Sequence, residues 1–380
     1  MIYFDYNATT PLDKRVFTKM RLYLTREYAN PSAIYRLGQR SRRAIERARA
    51  EVAHLLGALP EEIVFTSGGT EAINAAIKGV VYSRAGGTGH IIASRIEHSA
   101  VLKPCQSFAA RGMNVTYLDV DTYGQINCAQ LEKNIRKETI LVSLMYANNE
   151  VGTIQPIREI ASICAKRGII LHVDAVQAVG KIQMNVKELG ADLLSLSGHK
   201  FYGPKGAGAL YVRKGITLTP LLEGGHQEAD RRGGTEHVVG IVGLGHAAYL
   251  ARQEMGKHER SIKMLRDTLQ EQILTKISGV KVNGHPQDRL YNTLHILIEG
   301  VSSETLVINL DFKNICVSGG AACISGAQGA SHVLLAMGIP ESEAKSALRI
   351  SLGKYNTQAD IERMIKVLPP LVEKLRKMAA

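Results

Sequence analysis

Short apolar runs alternate with amphipathic stretches between residues 61 and 212, and this alternation is the clearest pattern in the chain. The apolar runs have the length of strands, and the stretches between them repeat apolar residues at helical spacing. We predict seven strands, at 63–66, 90–94, 114–118, 140–145, 169–173, 193–196 and 209–212. We predict intervening helices at 71–82, 99–111, 129–135 and 157–167. Strands that alternate with helices in this way form a mostly parallel sheet flanked by helices.

The pattern changes after a long amphipathic stretch at 238–257. The elements predicted beyond it are a helix at 262–277, strands at 280–282 and 293–298, and helices at 304–310 and 360–378. Helices segregated from a few strands indicate an α+β arrangement. We therefore predict an α/β protein whose large domain holds the seven-stranded sheet and whose smaller α+β domain is C-terminal. We assign residues 15–257 to the large domain and residues 258–380 to the small domain. The pattern of the N-terminal segment 1–14 is compatible with either domain, and we assign this segment to the small domain.

Composition limits the class of protein. The chain has 380 residues and is 45% hydrophobic, which is enough for two cores. No apolar run approaches the roughly 18 residues of a membrane span, and Asp5 follows the first residue too closely for a signal peptide. We therefore expect a cytoplasmic protein with no membrane partner.

The net charge of +12 fits an anionic protein partner, a phosphate-bearing ligand or a nucleic acid. Most basic residues are scattered, and one cluster follows a helical pattern typical of a solvated helix face. That cluster consists of Arg36, Arg40, Arg42, Arg43, Arg47 and Arg49. Because no zinc finger, stacking platform or basic tail accompanies the charge, we expect no direct contact with nucleic acid.

The five cysteines differ in their surroundings. Their odd number and the absence of a CxxC motif argue against a disulfide framework or a zinc ribbon. Cys164 lies in an apolar helical stretch and suits a core position. Cys323 instead lies among small, polar and glycine residues at 317–332, which predicts an exposed loop. A thiol on such a loop is a candidate nucleophile, active as its thiolate.

Asp174 and Lys200 end two successive apolar runs of the predicted sheet. Ligands of open α/β folds bind at the carboxyl ends of parallel strands. A desolvated amine there suits a Schiff base with pyridoxal phosphate (PLP), and a carboxylate suits the protonated ring nitrogen of that cofactor. Alone, Lys200 would be a surface loop residue and Asp174 a helix cap, but the pair favours a PLP site.

Other residues near these strand ends extend the hypothesis. Gly69 and Thr70 open a helix, where free N–H groups suit a phosphate, although an ordinary helix start has the same sequence. Ser197 and His199 flank Lys200 and could also reach the phosphate. Gln177 is a candidate donor to the phenolic oxygen of the cofactor. His98 could stack on the cofactor ring and exchange protons, or it could only cap the following helix.

Nine segments in the same order resemble the cysteine desulfurases of the class V aminotransferase-like group, within the fold-type-I PLP enzymes. They are 3–11, 66–71, 97–98, 148–152, 172–177, 197–200, 232–235, Cys323 and 349–353. The resemblance implies the PLP-transferase fold and the conversion of L-cysteine to L-alanine. The long stretch around Cys323 resembles the long-loop group, which passes sulfur to iron–sulfur scaffold proteins.

The resemblance also implies a role for each matching residue. Lys200 would bond to the cofactor, Asp174 and Gln177 would contact its ring, and His98 would stack on it and act as acid–base group. The phosphate would be bound by Gly69, Thr70, Ser197, His199 and, from a neighbouring subunit, Thr235, which implies a homodimer. The substrate carboxylate would be bound by Asn149, also a cofactor contact, and Arg349.

Cys323 would capture the sulfur as a persulfide for iron–sulfur assembly or tRNA thiolation, and is a possible iron–sulfur ligand in a complex; no metal is expected in the isolated enzyme. Three alternatives stay open at this point: a selenocysteine lyase, another PLP-dependent carbon–sulfur lyase or aminotransferase, and a non-catalytic scaffold or nucleic-acid-binding protein.

Overall fold

The computed structural model of the protein describes residues 1–85, 88–319 and 330–379. The strands of these residues are β1 (Ile2–Tyr3), β2 (Ile63–Thr66), β3 (His90–Ser94), β4 (Asn114–Leu118), β5 (Thr139–Met145), β6 (Ile170–Asp174), β7 (Leu193–Ser197), β8 (Gly208–Val212), β9 (Val280–Asn283), β10 (Thr293–Ile298), β11 (Ile315–Cys316), β12 (Ser318–Gly319) and β13 (Ala347–Ser351). The α-helices are α1 (Lys14–Thr25), α2 (Arg36–Leu56), α3 (Gly69–Ala85), α4 (Ser99–Ala109), α5 (Cys128–Asn134), α6 (Ile157–Lys166), α7 (Val186–Leu189), α8 (Val238–Lys276), α9 (Ser303–Asp311), α10 (His332–Ala336), α11 (Glu341–Ala344) and α12 (Gln358–Ala379).

A seven-stranded sheet contains all seven strands predicted between residues 61 and 212. Its order is β2-β8-β7-β6-β5-β3-β4. Only β8 runs antiparallel to its neighbours, β2 and β7, while the pairs from β7 to β4 are parallel. The prediction of a mostly parallel sheet flanked by helices is therefore confirmed.

Two layers of helices cover this sheet. The neighbouring residues Ile91 and Ile92 of β3 are both fully buried, yet they enter different hydrophobic clusters. This follows from the strand geometry, in which successive side chains point to opposite faces. Helices α3 and α4 supply the cluster around Ile91, and α2, α6 and α8 supply the cluster around Ile92. Burial on both faces explains why these strands are continuous apolar runs.

The C-terminal part of the chain forms a four-stranded antiparallel sheet of order β12-β13-β10-β9. Phe4, near the N-terminus, packs in the same hydrophobic cluster as Ile296 of β10 and Ile350 of β13. In addition, β1 pairs with β11 in parallel. The N-terminal segment is thereby packed against the C-terminal part, and the exact division into domains stays a prediction.

The prediction of two separate helices at 238–257 and 262–277 is wrong, because the structure has a single 39-residue helix, α8, over both ranges. The polar residues at 258–261, between the two predicted helices, are exposed or half-buried. A polar turn on the outer side of an amphipathic helix does not interrupt its backbone. The predicted domain boundary after residue 257 therefore falls inside α8. In the parts of the chain that the structure describes, no helix is both long and apolar enough to cross a membrane.

Candidate active site

A cavity of about 380 Å³ lies at the carboxyl ends of β5, β6 and β7. Ten of the residues predicted for the site line it together: Gly69, Thr70, His98, Asn149, Asp174, Gln177, Ser197, His199, Lys200 and Arg349. Most of them follow strands of the parallel sheet, whose carboxyl ends meet at one edge. The structure thus brings together residues that lie up to 280 positions apart in the chain.

Lys200 and Asp174 supply the two groups on which the prediction depended. The Lys200 Nζ donates hydrogen bonds to the carbonyl oxygens of Asn7, at 2.6 Å, and Ala8, at 2.9 Å. Asp174 is 6% exposed, and its Oδ1 accepts a bond from the Val176 N–H at 2.9 Å. Burial raises the pKa of Asp174, whereas that same hydrogen bond and nearby His98 and Lys200 oppose the rise. A protonated ring nitrogen is the kind of cationic partner that such a buried carboxylate requires.

The opposite end of the cavity suits a phosphate. Helix α3 begins at Gly69, and Gly69 and Thr70 of its first turn line the cavity. The first N–H groups of a helix have no partner within the helix and suit an anion. A side chain at Gly69 would place its Cβ 2.7 Å from the Val176 Cγ2, so only glycine leaves the backbone accessible here. The His199 Nδ1 lies 3.1 Å from the Thr9 Oγ1. Burial, with help from nearby lysines, lowers the pKa of His199 to about 4 and keeps its imidazole neutral.

His98 both caps a helix and faces the cavity, so its two interpretations are compatible. Its Nδ1 accepts a hydrogen bond from the Ala100 N–H at 3.1 Å, at the start of α4. Since a backbone N–H can only donate, the proton of the neutral ring must lie on Nε2. Burial lowers the pKa of His98, opposed by Asp174 and assisted by Lys200 and His332. A neutral imidazole in the cavity is suited to accepting and returning a proton.

Arg349 carries a donor without an internal acceptor. It is 1% exposed on β13, with Nη2 at 2.7 Å from the Asp5 Oδ1 and Nη1 at 2.9 Å from the Asn149 carbonyl oxygen. Its Nε is buried and has no hydrogen-bond partner among the described residues. An unsatisfied buried donor is costly, which indicates that a ligand supplies the acceptor. A carboxylate matches this guanidinium best.

Asn7 is a site residue that the analysis of individual motifs missed. Its carbonyl oxygen accepts bonds from the Lys200 Nζ and, at 2.8 Å, from the Gln177 Nε2. Its side chain donates to the Asn149 carbonyl oxygen and to the Thr293 Oγ1. The only sequence signal was its place in segment 3–11 of the resemblance. Ala8 and Val176 likewise appeared only as members of segments 3–11 and 172–177, and three further lining residues carried no signal: Ile73, Met145 and Ala147.

Of the other two predicted residues, one does not line the cavity and one lies outside the described residues. Thr235 is exposed and does not line it, and its contact with a neighbouring subunit stays a prediction. Cys323 and its loop lie outside the described residues. Within the three described ranges, no group of three or more His, Cys, Asp or Glu side chains could hold a metal ion.

The fold and the lining of the cavity are those of a PLP-dependent enzyme of the class V aminotransferase family. The family described as aminotransferase class-V matches residues 2–364, and the chain belongs to this family. Because the family is PLP-dependent, the predictions of an enzyme and of its cofactor are confirmed.

Similarity to individual proteins indicates which enzymes of this family the chain resembles. The chain is 49% identical over 378 residues to "Cysteine desulfurase IscS" of Methanosarcina thermophila, which covers 100% of this chain and 93% of the relative. It is 37% identical to a solved "NifS-like protein", with a TM-score of 0.92 and coverage of 98% and 99%. A structure of "SspA in complex with cysteine" shares 38% identity, with a TM-score of 0.83 and coverage of 94% and 100%. The resemblance to cysteine desulfurases is therefore confirmed.

Proposed function

We propose that the protein is a PLP-dependent cysteine desulfurase that converts L-cysteine to L-alanine and captures the sulfur as a persulfide on Cys323. One observation carries the proposal: Lys200, Asp174 and Arg349 line a single cavity. Burial raises the pKa of Asp174, and the buried Arg349 Nε has no hydrogen-bond partner among the described residues. Relatives named cysteine desulfurase over the whole chain support it.

The chain's own residues would hold the cofactor by both ends. Asp174 keeps the proton on the ring nitrogen, while the Gln177 Nε2 donates to the ring hydroxyl. Gly69 and Thr70 bind the phosphate with the N-terminus of α3, and Ser197 and His199 complete that end. When bound, PLP supplies an electron sink for the α-carbon of the substrate.

The remaining lining residues act on the substrate. Arg349 and Asn149 orient the carboxylate, and the Arg349 Nε, which no described residue contacts as an acceptor, is a donor to it. The Lys200 Nζ removes the α-proton, and the His98 Nε2 exchanges a proton at the sulfur step.

Sulfur transfer then needs no external oxidant. The Cys323 thiolate attacks the substrate sulfur, so that an S–S bond forms as the C–S bond breaks. The electron pair of the broken bond stays on carbon, which is protonated to give L-alanine. Cys323 retains the sulfur as a persulfide.

We further propose a cytoplasmic homodimer in which Thr235 completes the phosphate site of the other subunit. The exposure of Thr235 leaves its side chain available for such a contact. The sulfur would pass to acceptors that build iron–sulfur clusters or thiolate tRNA, and the name IscS of two relatives supports such a transfer. In a complex with a scaffold, Cys323 could also ligate the growing cluster.

Absorption spectra and product assays of the purified protein test the proposal. The wild type should absorb visible light through its bound cofactor and release alanine from L-cysteine. Lys200→Ala should abolish turnover and change the absorption, whereas Cys323→Ser should keep the absorption and lose the persulfide. Cys316→Ser is the matched control, because Cys316 is a partly exposed thiol on β11 and does not line the cavity.

Three results would contradict the proposal. A colourless wild type that binds nucleic acid in moderate salt would favour a binding protein instead. Full sulfur transfer by Cys323→Ser would remove Cys323 as the nucleophile. If that variant still turns over selenocysteine but not cysteine, the enzyme is a selenocysteine lyase.

A further inference from the structure

Lys181 is a buried lysine that the proposed reaction does not use. It is 8% exposed, and its Nζ donates to two oxygens of one residue, the Gln177 backbone carbonyl at 3.1 Å and the Gln177 Oε1 at 3.3 Å. Burial and the nearby charge of Lys200 lower the pKa of Lys181 to about 7. Keeping a cation here is therefore costly, which argues for a role beyond packing.

The two bonds of the Gln177 amide determine how it is turned. Its Oε1 faces the Lys181 Nζ, and its Nε2 donates to the Asn7 carbonyl oxygen at 2.8 Å. A carbonyl only accepts and an ammonium only donates, so these two partners select one of the two amide orientations. In that orientation the amide nitrogen lies on the side of the Asn7 carbonyl, where Asn7 and Gln177 both line the cavity.

The same bonds connect Lys181 to Lys200. The Asn7 carbonyl oxygen that receives the Gln177 Nε2 also receives the Lys200 Nζ, at 2.6 Å. The two amines are thus joined through one amide and one carbonyl. Loss of the Lys181 donor would free the amide to rotate and would remove a positive charge near Lys200.

We propose that Lys181 is a positioning residue, whose ammonium turns the Gln177 amide so that its N–H group faces the ring hydroxyl of the cofactor. This inference rests on the proposed function, in which Gln177 contacts that hydroxyl. A donor at the hydroxyl oxygen and a cation near Lys200 both disfavour protonation of the bound cofactor at its bond to Lys200. Lys181→Met should therefore raise the pH at which the visible absorption of the bound cofactor changes.

The test is a pH titration of that absorption in the holoenzyme, without substrate. We expect Lys181→Met to move the midpoint upward by about 0.5 to 1 pH unit, the size expected for one nearby charge and one hydrogen bond. Lys187→Met is the matched control, because Lys187 is exposed on α7 and should leave the midpoint unchanged. A merely structural role would lower the melting temperature without moving the midpoint.

A double-mutant cycle with Gln177→Ala shows whether Lys181 acts through the amide. In the Gln177→Ala background, Lys181→Met should shift the midpoint by less than half as much as it does alone. Equal shifts in both backgrounds would overturn the inference, because they would show a charge effect that bypasses Gln177. No shift in either background would also overturn it.

A second variant and the wild-type spectrum separate failure of this inference from failure to fold or to bind the cofactor. If Lys181→Met does not fold, Lys181→Gln enters the same cycle, since its amide also lacks the charge. If the wild type itself shows no cofactor absorption, the proposed function fails, whereas a coloured wild type with an unchanged Lys181→Met midpoint refutes only the role of Lys181.

Discussion

Glu97 should make the protein less stable as the pH rises from mildly acidic to mildly alkaline. It is fully buried between β3 and α4, and its Oε1 accepts a hydrogen bond from the Ser94 Oγ at 2.5 Å. Burial raises the pKa of this carboxyl to about 8; the Ser94 bond opposes the rise, and the neighbouring charge of Asp174 adds to it. We therefore expect Glu97 to be mostly neutral in the folded protein at pH 7.

Proton linkage determines the direction and the size of this pH dependence of stability. Below pH 4.5 the carboxyl is neutral in both the folded and the unfolded chain and contributes no pH dependence. Between pH 4.5 and about 8 the unfolded chain releases the proton while the folded protein keeps it, so the free energy of unfolding falls as the pH rises. Over the whole window the loss amounts to about 3 to 5 kcal/mol.

Glu97→Gln removes this titration while keeping the shape of the side chain. The variant should match the wild type closely at pH 5 and exceed its free energy of unfolding by about 3 kcal/mol at pH 8. Urea unfolding followed by far-ultraviolet circular dichroism is the assay, because the chain has no tryptophan for fluorescence. Glu132→Gln, at an exposed position of α5, controls for the substitution. A difference between Glu97→Gln and wild type that stays constant from pH 5 to 8 would refute the desolvation argument.

Four other substitutions test the site, a surface helix position and the core. Gly69→Ala should weaken cofactor binding by about tenfold or more, because its Cβ would lie 2.7 Å from the Val176 Cγ2; Gly256→Ala, in an open part of α8, should instead stabilise the protein by up to about 1 kcal/mol in thermal unfolding. Arg349→Lys should raise the KM for cysteine more than it lowers kcat, because lysine lacks the planar fork; an unchanged KM would count against a carboxylate contact. Leu269→Ala, fully buried in the C-terminal core, should cost about 2 to 5 kcal/mol in urea unfolding, and a cost below 1 kcal/mol would show a loosely packed core.

The sequence predicts the large sheet well because burial on both faces leaves a local signature. Most of its strands are short apolar runs with a helix or turn on either side, so no long-range information is needed. Strand β13 was missed because Arg349 and Ser351 interrupt its apolar run. Both are buried nevertheless, since Arg349 pairs with Asp5 and the Ser351 Oγ accepts a bond from the Asn7 N–H at 3.0 Å. Partners more than 300 positions away in the chain leave no mark on a local pattern.

The difference between local patterns and long-range contacts also explains which site residues the sequence predicts and which it does not. Asp174 and Lys200 were found because strand ends of a parallel sheet converge at one edge, which is a rule of topology. Asn7 acts on Lys200 through its backbone carbonyl, a group that every residue has. Its place depends on how the N-terminal segment packs against β10 and β13, and no local pattern encodes that packing. The position of Cys323 relative to the cavity stays a prediction.

The charges of the cavity also bear on which ligand it can hold. The cavity is lined by groups of both signs: the N-terminus of α3, the buried Asp174 carboxyl, and Arg349, whose Nε has no hydrogen-bond partner within the described part of the chain. PLP joined to an amino acid presents the opposite series, with an anionic phosphate, a cationic ring nitrogen and an anionic carboxylate. A nucleic acid offers anionic phosphates alone, which would repel the buried Asp174 carboxylate. The charges that line the cavity therefore favour an amino-acid substrate over a nucleic acid at this site, even though the chain carries a net charge of +12.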